Sequence, residues 1–277
     1  MNEEHKRFIE VLAKKAAPIS QTEKRTYITP NYDPSMQLRG IRQFVQCLRM
    51  ESAGNSSSIA IARNIQAYNH ERGGDAYADD CADAMYFDAT VSGAIVASFA
   101  QFIEGLFKYE FFRLSQNRPE SIKLNSKRYK GIESAIASDK KNKTANNVAI
   151  KKKATLAYWD PHTIVSNEGK CVTNIADGIS ELCRLYEIEN NMPKGFSDTL
   201  TAIFQYRNYV MHNGVEWEDK EIRKFKANTD KLSFDAFQWS TRNGVESIAF
   251  ISDQFINHTL SLCECCLEHV WFCNLDG

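Results

Sequence analysis

Residues 77–114 leave this chain few ways to fold. Phe99, Phe102, Ile103, Leu106, Phe107 and Phe111 recur at helical spacing, yet they wrap more than one side of the helix. A helix that is apolar on several sides must be buried on several sides. The stretch therefore predicts the central helix of a bundle, bent near Ser92-Gly93, and its surface would equally suit a dimer contact. Two charges interrupt it, Glu104 and Lys108, four residues apart. They can form an i,i+4 pair. They are also second-rank candidates for a cleft, because an inward charge is costly unless paired or used.

The remaining pattern is mainly α. Residues 2–17 read as a short amphipathic helix. Residues 18–34, with Pro18, Pro30 and Pro34, read as a loop or extended arm. Two helices are expected at 35–50 and 57–68, separated by the Gly-Asn-Ser run at 54–58, with Leu38, Ile41, Val45 and Leu48 inward. Arg72-Gly73-Gly74 marks a turn. The expected organisation is thus an N-terminal helical extension, 1–74, and a helical domain, 75–277. After a short helix at 126–138, Pro161 and Ser166-Asn167 set off a helix over 168–189, with Val172, Ile175, Ile179, Leu182 and Tyr186 inward. Asn190 to Pro193 ends it, making an antiparallel neighbour of the helix that follows. Residues 215–231 suggest a short surface helix. Residues 233–251 alternate on both sides of Asn243-Gly244, the chemistry of a β-hairpin. Ser252 or Asp253 then caps a last helix running to about Cys273.

Charge bounds the function classes. With 277 residues, 43% hydrophobic, 25% charged and a net charge of −1, the chain is not basic throughout. Any contact with nucleic acid must come from a local patch. Residues 123–153 offer one: ten Lys or Arg stand against Glu133 and Asp139, a net of +8. Lys140, Lys141, Lys143, Lys151, Lys152 and Lys153 are its candidate RNA-binding residues. A solvated loop that aids solubility is the plainer reading of the same residues. The N-terminus is polar without a signal-peptide core, and no apolar run stands out as long enough to span a bilayer. A cytoplasmic protein with reduced thiols and no membrane partner is the expectation. Cys266, His269 and Cys273 share a helical face and have the spacing of three zinc ligands. Buried helical cysteines are the commoner case, so no metal or other cofactor is expected.

Residues 196–214 carry the chemistry. Leu200, Ile203, Phe204 and Val210 give a helical stripe, Ser197 or Asp198 can cap its start, and Asn213-Gly214 is a helix stop. Arg207, Asn208 and His212 crowd the last turns before that stop. Arg207 and His212 lie about 140° apart around a regular helix, whereas Asn208 and His212 share a face. Each cation also has a plainer use at a helix C-terminus, complementing the dipole. His162, in Trp159-Asp160-Pro161-His162, reads as a turn residue that could touch a ligand.

Arg207-Asn208-Tyr209-Val210-Met211-His212 resembles the signature of the HEPN family, an Arg followed by a polar residue and then, a few residues on, a His. The resemblance implies an antiparallel helical bundle, forming a homodimer that brings two copies of the motif together. It implies metal-independent RNA cleavage, with His212 as general base or acid, Arg207 stabilising the phosphate and Asn208 orienting one of them. It also implies a setting in toxin–antitoxin or anti-phage defence, with an inhibitory protein as a further partner. One HEPN subgroup carries a Tyr two positions after the His. Gly214 stands there in this sequence. The alternative expectation is a non-catalytic HEPN-like module that binds a protein, RNA or nucleotide.

Overall fold

The computed structural model describes residues 33–68, 73–117, 122–138, 147–165, 170–242 and 245–272. The expected helix at 2–17, the arm before residue 33, Lys140, Lys141, Lys143 and Cys273 lie outside the described residues. The unit from Pro34 onward is mainly helical. Helix α1 spans Pro34–Tyr68 and α2 spans Gly73–Asn117. Helices α3 (Lys127–Ser138) and α4 (Asn147–Tyr158) follow. Strands β1 (Thr163–Val165) and β2 (Cys171–Thr173) form a short antiparallel ladder. Then come α5 (Ile175–Leu185), α6 (Phe196–Asn213) and α7 (Asp219–Thr229). Strands β3 (Phe237–Arg242) and β4 (Val245–Ile251) pair antiparallel, and α8 (Asp253–Cys266) continues as a π-type stretch over Leu267–Phe272.

Helix α2 is the spine. Phe99, Phe102, Ile103, Leu106, Phe107 and Phe111 are all fully buried, as a helix apolar on several faces requires. It runs unbroken through Ser92 and Gly93. Gly93 is a point of close approach, because a Cβ there would stand 2.9 Å from a methyl of Val210 on α6. The spine also corrects one expectation. The segment Cys81–Gln116 is long and apolar enough, by length and composition, to cross a membrane, although 61% of its apolar window is buried inside the fold.

Helix α1 is continuous where the sequence predicts a break at 54–58. A lone glycine inside a helix costs only about 1 kcal/mol, so Gly54 does not by itself end one. Leu38, Ile41 and Val45 join the same core as α2, with Leu48 half-buried beside them. The helix expected over 168–189 begins only at Ile175. Asn174 caps it by accepting from the Asp177 N–H, and Thr-Ile-Val pairs with Cys-Val-Thr in the ladder before it. These triplets are rich in β-branched residues and suit a pleated edge. Val172, expected inward on a helix, is therefore 45% exposed on β2. Nothing in the sequence pattern announces helix α4. Its buried residues, Ala154 and Tyr158, are only one i,i+4 pair among lysines. The C-terminal hairpin, the surface helix after Gly214 and the Ser252 cap all form where the pattern places them.

Candidate active site

Helix α6 owes its position to two packed sides. Toward α2 it presents Val210 to Gly93 and Arg207 to Glu104. Toward the hairpin, Tyr206 is buried, stacks on Phe237 and donates its hydroxyl to the Ala249 carbonyl at 2.8 Å. Burial pushes the Tyr206 phenol up, well above its ordinary value. Tyr209 packs on Trp217 and, edge to face, on Phe225 of α7. The helix begins at Phe196 behind a left-handed Gly195, two residues earlier than a Ser197 cap would place it. It stays regular through Asn213 and stops at Gly214, whose φ of +77° suits glycine and whose N–H reaches the Val210 carbonyl at 3.1 Å.

The Arg207 guanidinium is held from three directions. Nη1 donates to Glu104 Oε2 at 3.3 Å, while Nε and Nη2 both donate to Asn208 Oδ1 at 3.2 and 3.1 Å. Its carbon lies 5.1 Å from the centre of the Phe204 ring. Asn208 thus serves Arg207, not His212, although it shares a helical face with the latter. His212 is exposed, and no hydrogen bond or ion pair to it occurs among the described residues. The regular helix keeps the two motif cations on different faces.

Glu104 gathers the site. Its Oε1 accepts from Lys108 Nζ at 3.1 Å and lies 3.0 Å from His162 Nε2, while Oε2 faces Arg207. Burial pushes the Glu104 carboxyl up, but Lys108 and His162 together outweigh it and hold the group below its ordinary value. The side chains of Glu104, His162 and Arg207 are 24%, 27% and 28% exposed, so the cluster is open to solvent without being loose.

His162 reads in the sequence as a turn residue, and the turn is what aims it. Its N–H donates to Asp160 Oδ1 at 3.0 Å. Arg128 fixes the turn from beneath: Nε donates to the Tyr158 carbonyl and Nη2 to the Asp160 carbonyl, both at 2.9 Å, and Nη1 pairs with Glu181 at 2.6 Å. Gly178 of α5 lets Pro161 come close, since a Cβ there would overlap the Pro161 carbonyl oxygen. His162 and Glu104 are 58 residues apart, so no local pattern could have joined them. Turn chemistry at Asp160-Pro161 was the one signal of a rigid presentation.

Of the six candidate lysines, Lys151, Lys152 and Lys153 are exposed on α4. Arg128, counted in the same basic stretch, is consumed inside the fold. In the C-terminal helix Cys263 and Cys266 are buried, which pushes both thiols well up, and His269 is half-buried. Among the described residues no three His, Cys, Asp or Glu side chains group as metal ligands. A cavity of about 600 Å³ lined by Lys226, Phe234 and Trp239 opens elsewhere and includes neither Arg207 nor His212. Comparisons with family models, with curated proteins and with solved structures each return no match.

Proposed function

We propose that the chain is a HEPN-like, metal-independent endoribonuclease that acts on single-stranded RNA or tRNA loops. Arg207 would bind and stabilise the scissile phosphate, and His212 would transfer a proton. Asn208 would hold the guanidinium in place. The observation that carries the reading is the state of the motif: a restrained, part-exposed Arg207 and an exposed His212 at the end of one helix. An arginine held by neutral and acidic partners is preorganised for a phosphate. An accessible imidazole can exchange protons near neutral pH.

Convergence calls for a second chain. Because α6 stays regular through Asn213, Arg207 and His212 of one protomer point apart. A two-fold axis beside the open face would bring a second Arg207 and His212 across a shared groove. The reaction is attack of a 2′-oxygen on the adjacent phosphorus, with products ending in a 2′,3′-cyclic phosphate and a 5′-hydroxyl. A role in defence or toxin–antitoxin control, a cytoplasmic location and an inhibitory protein partner accompany this reading through the resemblance alone.

One observation favours a different reading, a non-catalytic binding module. Glu104 and Asn208 already occupy every nitrogen of Arg207. An arginine so engaged can serve purely to join helices. The experiment is incubation of the purified protein with total RNA in EDTA beside its His212→Ala variant, with mass measured by sedimentation. Cleavage that survives EDTA, vanishes in the variant and accompanies twice the 31.6 kDa chain mass supports the enzyme. Intact RNA with the wild-type protein sinks it.

A further inference from the structure

We propose that His162 is the general base of this site, positioned by Glu104, which leaves His212, brought across the groove by the second protomer, as the general acid. The inference rests on the ribonuclease reading and goes beyond its motif. Cleavage by a 2′-hydroxyl needs two proton transfers, and arginine, charged at all working pH, makes neither. The motif helix contributes one imidazole. The tertiary fold brings a second, from a turn remote in sequence, onto the carboxylate that also holds Arg207.

The geometry around the ring specifies a role. An ionised Glu104 only accepts hydrogen bonds, so the Nε2 of His162 that faces it carries a hydrogen and donates. In the neutral ring Nδ1 then bears the lone pair. Glu104 also binds two cations, Lys108 on one oxygen and Arg207 on the other. Held at Glu104 by its Nε2–H, the ring would take the substrate proton at Nδ1. His162 faces Glu104 of α2 and donates its backbone N–H to Asp160 of its own turn, while Lys108 of α2 and Arg207 of α6 bind the same Glu104 carboxylate. Arg128 and Gly178 immobilise the turn, and the ring keeps 27% exposure, enough to meet a substrate at the surface.

Protons and bonds balance in this scheme. The 2′-hydroxyl proton passes to Nδ1 of His162 as the 2′-oxygen–phosphorus bond forms. The bond from phosphorus to the 5′-oxygen breaks, and protonated His212 supplies the leaving oxygen with its proton. Two histidines exchange one proton each, and the next solvent exchange resets them.

The test uses the full-length protein on a defined single-stranded RNA in EDTA. His162→Ala should lower kcat roughly 10²- to 10⁴-fold, the usual worth of a general base, with KM little changed. Added imidazole should restore part of that rate. His162→Gln, which keeps a donor toward Glu104, should retain the wild-type melting temperature and be equally slow. Glu104→Gln should lower kcat more than it changes KM. A substrate with sulfur in place of the 5′-bridging oxygen has a leaving group that needs no acid. It should rescue His212→Ala and leave His162→Ala slow. Wild-type rates in His162→Ala, no response to imidazole, or rescue of that variant by the sulfur substrate each overturn the proposal while wild-type cleavage leaves the ribonuclease reading standing. No cleavage by the wild-type protein removes both.

Discussion

Two glutamates on α2 illustrate how neighbours decide what a side chain does. Glu104 is part-exposed, and Lys108 and His162 hold its carboxyl below the ordinary 4.5 despite the opposing effect of burial. Glu110 is 2% exposed, and burial raises its carboxyl even though Arg113 donates to it at 3.0 and 2.9 Å. Their contributions to stability have opposite signs. Glu104 stabilises the fold above 4.5, and that share is lost as pH falls through its lowered value. The share linked to Glu110 is complete below 4.5 and is lost as pH rises through its raised value. Denaturation midpoints measured across the acid range should therefore decline less steeply toward low pH in Glu104→Gln. In Glu110→Gln the loss on raising pH just above 4.5 should vanish. Equal slopes in both variants and the wild type would refute the assignment. A count of charges treats the two residues alike, because sequence reports a carboxylate and not its surroundings.

At the scale of elements, close approaches between backbones place the groups that matter. Gly178 is the clearest case. Its missing Cβ is what admits the Pro161 carbonyl, and so the turn bearing His162, against α5. Gly178→Ala should cost about 1–3 kcal/mol, the usual range for overpacking, read by chemical denaturation. It should also move His162 away from Glu104, visible as a changed imidazole signal by NMR. An unchanged midpoint and signal would show that the turn is seated otherwise. Elements with strong local signals are legible in the sequence. Asn213-Gly214 marks the end of α6, Ser252 caps α8, and alternation around 243–244 marks the hairpin. The β1–β2 ladder is not, because three-residue strands are too short to show a period. Val172 of β2 reads as part of a helix that in fact begins only after Asn174.

The whole molecule divides its basic stretch between interior and surface. Arg128 serves the fold, whereas Lys151, Lys152 and Lys153 face outward from α4. Under the ribonuclease reading these three draw in RNA. Changing all three to Glu should weaken binding of a single-stranded RNA and flatten its salt dependence, by about 0.7 in log–log slope for each phosphate no longer neutralised. Fluorescence anisotropy over a salt series reads both, and an unchanged slope would exclude the patch from the RNA path.

The sequence by itself determined a helical protein around one deeply apolar spine, with an Arg, an Asn and a His at the end of a later helix. Those features are local: period, caps and stops are set by residues a few positions apart. Only the tertiary structure decided that Glu104, 103 residues from Arg207 and 58 from His162, would join them at one open site. Such meetings depend on how helices cross and turns seat, and those follow from packing the whole core at once.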